Sequence, residues 1–357
     1  MRVESESQLV EAVRGARAPL RIVGGGTRPV GALVGDPLQV AISGISLYEP
    51  GALTLIAGAG TPLSEIEAAV AAEGQRLPFE PARWGALLGA AGESTIGGVV
   101  AANVSGPRRV QAGACRDSLI GVRFVDGTGT AVKNGGRVMK NVTGYDLVKL
   151  MAGSWGTLGV LSEVAFKLLP AAPAQASLVM EVPLSEAARV LAAALGSQFD
   201  VSGAGWLPGV GAIVRIEGLE QSVSYRAGRL AEVLAAWAPK VMREEGAGLW
   251  RDLAGVAPLH GQPGDLWRFS VKPSDGPQVA ARLGGRAVLD WGGGLVWARV
   301  APGTDARKLA APYAGHATCL RGACAAFEPE AAPVAALSRG LRERFDPKGL
   351  FNPGKMG

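Results

Sequence analysis

Three glycine-rich stretches carry the residues of this chain best suited to chemistry. The first is Gly24, Gly25, Gly26 and Thr27. Glycines in a row present consecutive backbone N–H groups with no side chains in the way, and such a nest can hold a pyrophosphate. An ordinary turn is the plain alternative. The second is Ser94, Thr95, Ile96, Gly97 and Gly98, followed by Asn103, Ser105 and Gly106. Hydroxyls, bare backbone and an amide in one short span suit the other side of a pyrophosphate and one edge of a flat heterocycle. A strand-edge loop would use the same residues. The third runs from Gly153 to Val160. Its glycines let backbone pass close to a planar ring, which Leu158 and Val160 can sandwich.

Familiar nucleotide fingerprints are missing. GxGxxG counted from Gly24 and Gly26 needs a glycine where Pro29 stands, and counted from Gly58 and Gly60 it needs one at Leu63. Gly354–Lys355 has no Walker A loop around it, and no GxSxG elbow occurs. The 2 histidines, His260 and His316, exclude an HExxH motif and histidine-rich metal sites. The 3 cysteines, Cys115, Cys319 and Cys324, are too sparse for a disulfide framework and lack the second pair that a zinc or iron–sulfur site needs. They read as small buried or half-buried thiols. The net charge of +5 is spread along the chain with no basic run, and aromatic residues are 6%. No nucleic acid is expected as a partner; an electropositive pocket for phosphates or a carboxylate fits better.

The elements that position these loops follow from periodicity. MRVESESQLVEAVRG reads as a helix with a Ser5–Gln8 capping box and Leu9, Val10 and Val13 on its apolar face. The strand PLRIV ends at Val23 and delivers the chain to Gly24. The strand TLIAGAG leads to Thr61, placed to cap a helix with Pro62 at its first position and Leu63, Ile66, Ala69 and Val70 on its buried side. LIGVRFV and TAVKNGG read as strands joined by a DGTG hairpin.

Beyond Pro170 to Pro173 the pattern changes. SLVMEVP, VGAIVRIEG, LWRFSVKP, RAVLDW and LVWARVA read as strands, and SEAARVLAAAL and SVSYRAGRLAEVLAAWA as helices. The 357 residues suit two domains, and the 52 glycines are about twice the usual ~7% share. The expected fold is α+β: residues 1–170, then 171–329 as an antiparallel sheet with helices on one face, then a tail, 330–357, packing back on the first domain. The N-terminus has no apolar signal core, and no stretch approaches the ~18 apolar residues of a membrane span, so a cytoplasmic protein is expected.

Singly these motifs are unspecific; their order is not. GGGT, then GAGT with a helix ending in GQRLPFEP, then STIGG…AANVSG, then GYDLVKLMAGSWGTLGV resemble the FAD-binding domain of the vanillyl-alcohol oxidase/PCMH flavoproteins. The tail FDPKGLFNPGKM resembles their 2-hydroxy-acid dehydrogenase branch. The short middle region and KNVTGYDL look most like the FAD-binding subunits of glycolate oxidases. The resemblance implies FAD, with the pyrophosphate at Gly24, Gly25, Gly26 and Thr27 and a second loop at Ser94, Thr95, Ile96, Gly97 and Gly98. It places Ser105 and Gly106 near the phosphates and Pro78 at the border of the flavin. Arg109 falls beside the cofactor, Gly159 and Val160 at its adenine end, and Asn352 turned back towards the flavin.

Three departures qualify the resemblance. Relatives with covalent flavin use a histidine near the first loop; here Arg28 follows Thr27, so noncovalent FAD is implied. Trp155 stands where many relatives have glutamate. Relatives that oxidise 2-hydroxy acids themselves carry a histidine-containing site, often with a metal, because the hydroxyl needs a base while hydride leaves. His260 and His316 lack that context, so no catalytic residue is assigned. Arg268 and Arg299 sit on expected strands and can pair a substrate carboxylate, or simply be exposed strand residues. The implied function is oxidation of glycolate to glyoxylate, with electrons passing to a respiratory acceptor and not to NAD. The implied partners are a larger FAD-linked catalytic subunit and an iron–sulfur subunit, through which the chain could meet the inner membrane. A self-sufficient D-lactate or other 2-hydroxy-acid dehydrogenase and an assembly protein without FAD are the alternatives.

Overall fold

The first 40 residues build a small parallel sheet. β1 (Arg2–Val3), β2 (Leu20–Val23) and β3 (Asp36–Val40) pair in the order β1-β3-β2. The computed structural model describes residues 1–136, 144–284 and 286–356, so Lys140 to Thr143 of KNVTGYDL lie outside the described residues. The helix Glu6–Gly15 begins at Ser5, whose hydroxyl accepts the Gln8 N–H at 3.3 Å. Gln8 does not close a box on Ser5; its Oε1 takes the N–H of Glu4 at 2.7 Å.

The next strands are β4 (Ile45–Glu49), β5 (Thr54–Gly58), the short β6 (Gln75–Arg76), β7 (Leu119–Val125), β8 (Ala131–Gly135), β9 (Val160–Lys167) and the short β10 (Leu169–Pro170). β4, β5, β9, β7 and β8 form an antiparallel sheet in that order, and β6 pairs with β10. The β7–β8 hairpin turns on Asp126, whose carboxylate accepts the N–H groups of Thr128 and Thr130. Thr61 does not cap the helix Leu63–Ala72. Pro62 holds the cap position, while the fully buried Thr61 hydroxyl donates to Gly58 O at 2.7 Å and accepts the Gly44 N–H at 2.9 Å. A buried hydroxyl takes the partners nearest to it, and here these are in the neighbouring loop.

The second layer is one antiparallel sheet of eight strands: β11 (Ala174–Met180), β12 (Val201–Leu207), β13 (Gly211–Gly218), β14 (Lys240–Met242), β15 (Asp265–Val271), β16 (Ala287–Asp290), β17 (Leu295–Val300) and β18 (Gly315–Arg321). Their order is β14-β11-β13-β12-β16-β17-β15-β18. Period-two alternation gives the sheet two different faces. Leu178, Val214, Trp267, Phe269 and Val296 pack against the helices Leu184–Leu195, Glu220–Val233 and Gly276–Arg282. On the other face, Val179, Ile213, Leu266, Val288 and Trp297 join the core of the N-terminal sheets. The α+β architecture with helices on one sheet face is as expected. The same alternation turns Arg215, Glu217, Arg268 and His316 towards the N-terminal layer.

Candidate functional site

β2 ends where the glycines begin. Gly24 to Thr27 runs against residues 93 to 95, and the glycines are required there: a Cβ on Gly24 would collide with Thr95 Oγ1, and one on Gly25 with the Glu93 carbonyl. Thr27 and Ser94 join their buried hydroxyls at 3.1 Å. Thr95 caps the helix Ile96–Ala101, accepting the Gly98 N–H. Two adjoining clefts, about 700 Å³ and about 490 Å³ of open space, share Ile22, Gly24, Thr95, Gly98, Trp155 and Asn352. Gly25, Gly26 and Thr27 line the larger; Gly97, Gly159 and Val160 line the smaller. Among the described residues, no turn, loop or side-chain acceptor takes the N–H of Gly24, Gly25, Gly26 or Thr27. Free amides of this kind beside a cleft are donors waiting for an anion.

Three cations at the larger cleft have the matching charge. Arg21, Arg28 and Lys355 line it, and none forms an ion pair among the described residues. Arg28 donates to the Ala82 carbonyl at 3.3 Å and to the hydroxyls of Thr27 and Ser94 at 3.4 Å, and it lies 5.4 Å from the Trp84 ring centroid. Its Nε is buried without a partner. Burial lowers its pKa to about 10, so it stays charged at neutral pH. Lys355 is 7% exposed, and burial and Arg21 lower its pKa. Unpaired buried charge is costly, and a bound diphosphate would offset it. The glycine cradle, the free amides and these cations fit FAD. Sequence reasoning missed the cations because Lys355 comes from the tail, far from Arg21 and Arg28, and the three form no motif.

The carried-over residues do not all meet at the clefts. Pro78 is buried, Ile96 lies in the core, and neither lines a cleft. Neither Ser105 nor Gly106 lines a cleft: Ser105 accepts the Cys115 N–H at 2.9 Å, and the Gly106 carbonyl accepts Trp291 Nε1–H at 3.0 Å, which sets Gly106 against the eight-stranded sheet. Arg109 is there too, 4.1 Å from the Trp291 centroid. Asn352 reaches the clefts but its amide is engaged by backbone. Oδ1 accepts the Ile22 N–H at 2.9 Å, and Nδ2 donates to the carbonyls of Trp155 and Gly156 at 2.8 and 3.4 Å. It is a brace between β2, the tail and the Gly153–Val160 stretch.

Trp155 rims both clefts, edge-on to Phe327 at 5.4 Å with Lys355 over its ring at 5.9 Å. Arg299 is not available to a substrate. It is 4% exposed and its guanidinium is spent on the carbonyls of Leu259 and Gly264. His260 is held by the Gly255 carbonyl at 2.7 Å. No group of three or more His, Cys, Asp or Glu among the described residues is arranged to hold a metal.

Comparison with known proteins places this architecture. A family model for an FAD binding domain matches residues 1–135. The glycolate oxidase subunit GlcE of Escherichia coli (strain K12) is 40% identical over 333 residues, 92% of this chain and 88% of that protein. The glycolate oxidase subunit GlcD of Bacillus subtilis (strain 168) is 44% identical over 77 residues, 22% of this chain and 16% of its own. A D-lactate dehydrogenase of Anaerostipes hadrus is 42% identical over 87 residues, 24% of this chain and 18% of its own. Two crystal forms of alkyldihydroxyacetonephosphate synthase superpose with TM-scores of 0.69 and 0.72 over 99% of this chain and 76% and 75% of theirs; at 16% and 17% identity they speak for the fold alone. The chain belongs to the family of the glycolate oxidase subunit GlcE, among the FAD-linked oxidoreductases.

Proposed function

We infer that this chain is the FAD-binding subunit of a glycolate-oxidising complex, which turns glycolate into glyoxylate and passes electrons to a respiratory acceptor and not to NAD. The observation that carries this reading is the glycine cleft with its free amides and unpaired Arg21, Arg28 and Lys355, in a chain 40% identical to a glycolate oxidase subunit along 92% of its length. FAD, when bound, supplies the two-electron acceptor that a hydroxy acid needs. The protein's part begins with binding. The amides of Gly24 to Thr27 and the three cations neutralise the diphosphate, and the stretch Gly156 to Leu161 covers the other end of the cleft. Neither histidine lines the clefts, in keeping with a noncovalent cofactor.

Residues 1–170 with the tail 330–357 make the cofactor half, and residues 171–329 cover it. The partners are a larger FAD-linked subunit of the GlcD kind and an iron–sulfur subunit. Three cysteines are fewer than the four thiolates an iron–sulfur cluster usually takes, so that centre belongs to another chain. No helix among the described residues is long and apolar enough to cross a membrane, and the place we assign the chain is the cytoplasmic side, held to the inner membrane through its partners. The test is the visible spectrum of the purified chain, alone and in the complex, before and after anaerobic glycolate. Flavin bands that bleach once the partners are present support the assignment. A protein that stays colourless after soaking in FAD overturns it.

A further inference from the structure

Two arginines from different layers meet at one indole. Arg268 stands on β15, on the face turned to the N-terminal layer, and Arg109 belongs to the short helix Arg109–Ala112 within that layer. Their guanidinium carbons lie 5.3 and 4.1 Å from the Trp291 ring centroid, and Arg268 is also 5.7 Å from that of Trp297. Neither guanidinium has an ion pair or hydrogen bond with a described residue, and Arg268 Nε is buried with no partner. Burial and the charge of Arg109 pull the Arg268 pKa down to about 10, which leaves it a cation at neutral pH.

The acid nearby does not balance them. Asp290 is 2% exposed and its carboxylate accepts the Trp291 N–H at 2.7 Å. Burial raises its pKa to about 7, with Glu80 adding to the rise and Arg215 and Arg268 opposing it, so it is only partly ionised at neutral pH. Asp117 also acts on Arg109, but its carboxylate is taken up by Arg116 at 3.7 Å and the Ala114 N–H at 2.8 Å, so two like charges are held together in a half-buried place with no carboxylate paired to either. Such an arrangement is costly until an anion completes it. The flat fork of a guanidinium matches a carboxylate better than any other small anion except phosphate.

The surroundings favour a small hydroxylated ligand. Thr318 pairs with Arg268 and His316 with Ser270 across β15 and β18, so hydroxyls and an imidazole lie beside the cations on one sheet face. Burial and Arg268 lower the His316 pKa, so its ring is neutral at pH 7 and able to accept a proton. The place is also connected to the cofactor cleft. Arg28 at the cleft stacks on Trp84, Trp84 meets Trp297 edge-on at 5.3 Å, and Trp297 carries Arg268.

We propose that Arg109 and Arg268 bind the carboxylate of a small 2-hydroxy acid, with Trp291 as their common platform, so that this subunit holds substrate itself. The proposal rests on the assignment of the chain to 2-hydroxy-acid oxidation. It is tested on the full-length, flavin-loaded chain titrated with oxalate and with glycolate, following tryptophan fluorescence and heat. Saturable binding is expected. Arg109→Gln and Arg268→Gln should each weaken it at least tenfold, Arg268→Lys should retain part of it, and Arg189→Gln, on a distant exposed helix face, should leave it unchanged. Flavin content and melting temperature show which variants are folded; Arg109 is half-buried outside the sheet, so its variant survives should Arg268→Gln fail to fold.

Absence of binding in the wild type, or equal affinity in both glutamine variants, overturns the proposal. So does unchanged glycolate KM in complexes assembled with either variant, an outcome that leaves the assignment of the chain standing. Flavin that glycolate never reduces in the wild-type complex overturns the assignment, and the substrate role falls with it.

Discussion

Arg28 is the residue on which the cofactor cleft most depends. It is a cation without a carboxylate partner, hydrogen-bonded only to two hydroxyls and a carbonyl. A charge-assisted contact to a diphosphate contributes about 1.5–3 kcal/mol, roughly a 10- to 100-fold change in affinity. Arg28→Gln should therefore weaken FAD by that factor and leave riboflavin, which has no phosphate, unaffected. Flavin fluorescence titrations at low and high salt check it: the wild-type affinity should fall with salt more steeply than the variant's. An equal loss for FAD and riboflavin would point to a damaged fold instead. At this scale the glycines were legible because a bare backbone must be written into the sequence as consecutive glycines. The cations were not, because arginine and lysine at positions 21, 28 and 355 look like any surface charge until the fold gathers them. Arg299 misled for the same reason: a strand arginine next to apolar residues looks free, and only the structure shows two carbonyls occupying it.

The contact between the two layers is itself ionic. Arg215 and Glu217 on β13 meet Arg76, Glu80 and Arg108 of the N-terminal layer. Burial alone would raise the Glu217 carboxyl, but the hydrogen bonds from Arg108 and the charges of Arg215, Arg108 and Arg76 hold it down to about 2. Its ionised form is favoured in the folded state, so its contribution is complete above the unfolded carboxylate pKa and disappears as pH falls from about 4.5 towards 2. The loss is on the order of 3 kcal/mol. The melting temperature should drop steeply across that window. Glu217→Gln should flatten the drop while lowering stability at neutral pH, because buried Arg215 and half-buried Arg76 and Arg108 lose a partner; a wild-type profile flat from pH 5 to 3 would refute this.

The strands of the second layer show what alternation can and cannot reveal. β11, β13 and β15 to β17 were readable from apolar periodicity. β12 was not, since Gly203 and Gly205 make VSGAGWL look like a loop. Those glycines are there because Trp250 and Leu253 press on the strand, and a Cβ at Gly203 would come within 2.7 Å of the Trp250 ring. β18, GHATCLR, was missed as well: His316 and Thr318 break its apolar pattern, because beside Arg268 and Ser270 that face turns polar before Leu320 returns to the core.

Across the whole molecule, the first and last segments are interdependent. The Leu20 N–H donates to the Leu350 carbonyl at 2.7 Å, and the Asn352 N–H donates to the Leu20 carbonyl at 2.9 Å. Asp346 fixes the turn by accepting the N–H groups of Leu350 and Phe351. Asn352→Ala would leave the Ile22 N–H and the carbonyls of Trp155 and Gly156 short of a partner in a buried place. It should cost about 1–3 kcal/mol and lower the melting temperature by several degrees. FAD affinity should fall with it, since β2 and Trp155 both border the clefts; scanning calorimetry with and without FAD reads both effects, and an unchanged melting temperature would show that Asn352 is no brace. The family tail was legible in FDPKGLFNPGKM, but not its task. A brace over some 330 residues of sequence has no local signature, and only the packed chain shows that the Asn352 amide is engaged by backbone.

One consequence of that clasp concerns the order of events during synthesis. β2 and the glycine loop leave the ribosome about 330 residues before Asn352 and Lys355. A nascent chain therefore carries its phosphate loop long before it can close the pocket around it. A chain released before Asn352 would have the glycine loop without its brace, and should hold flavin poorly.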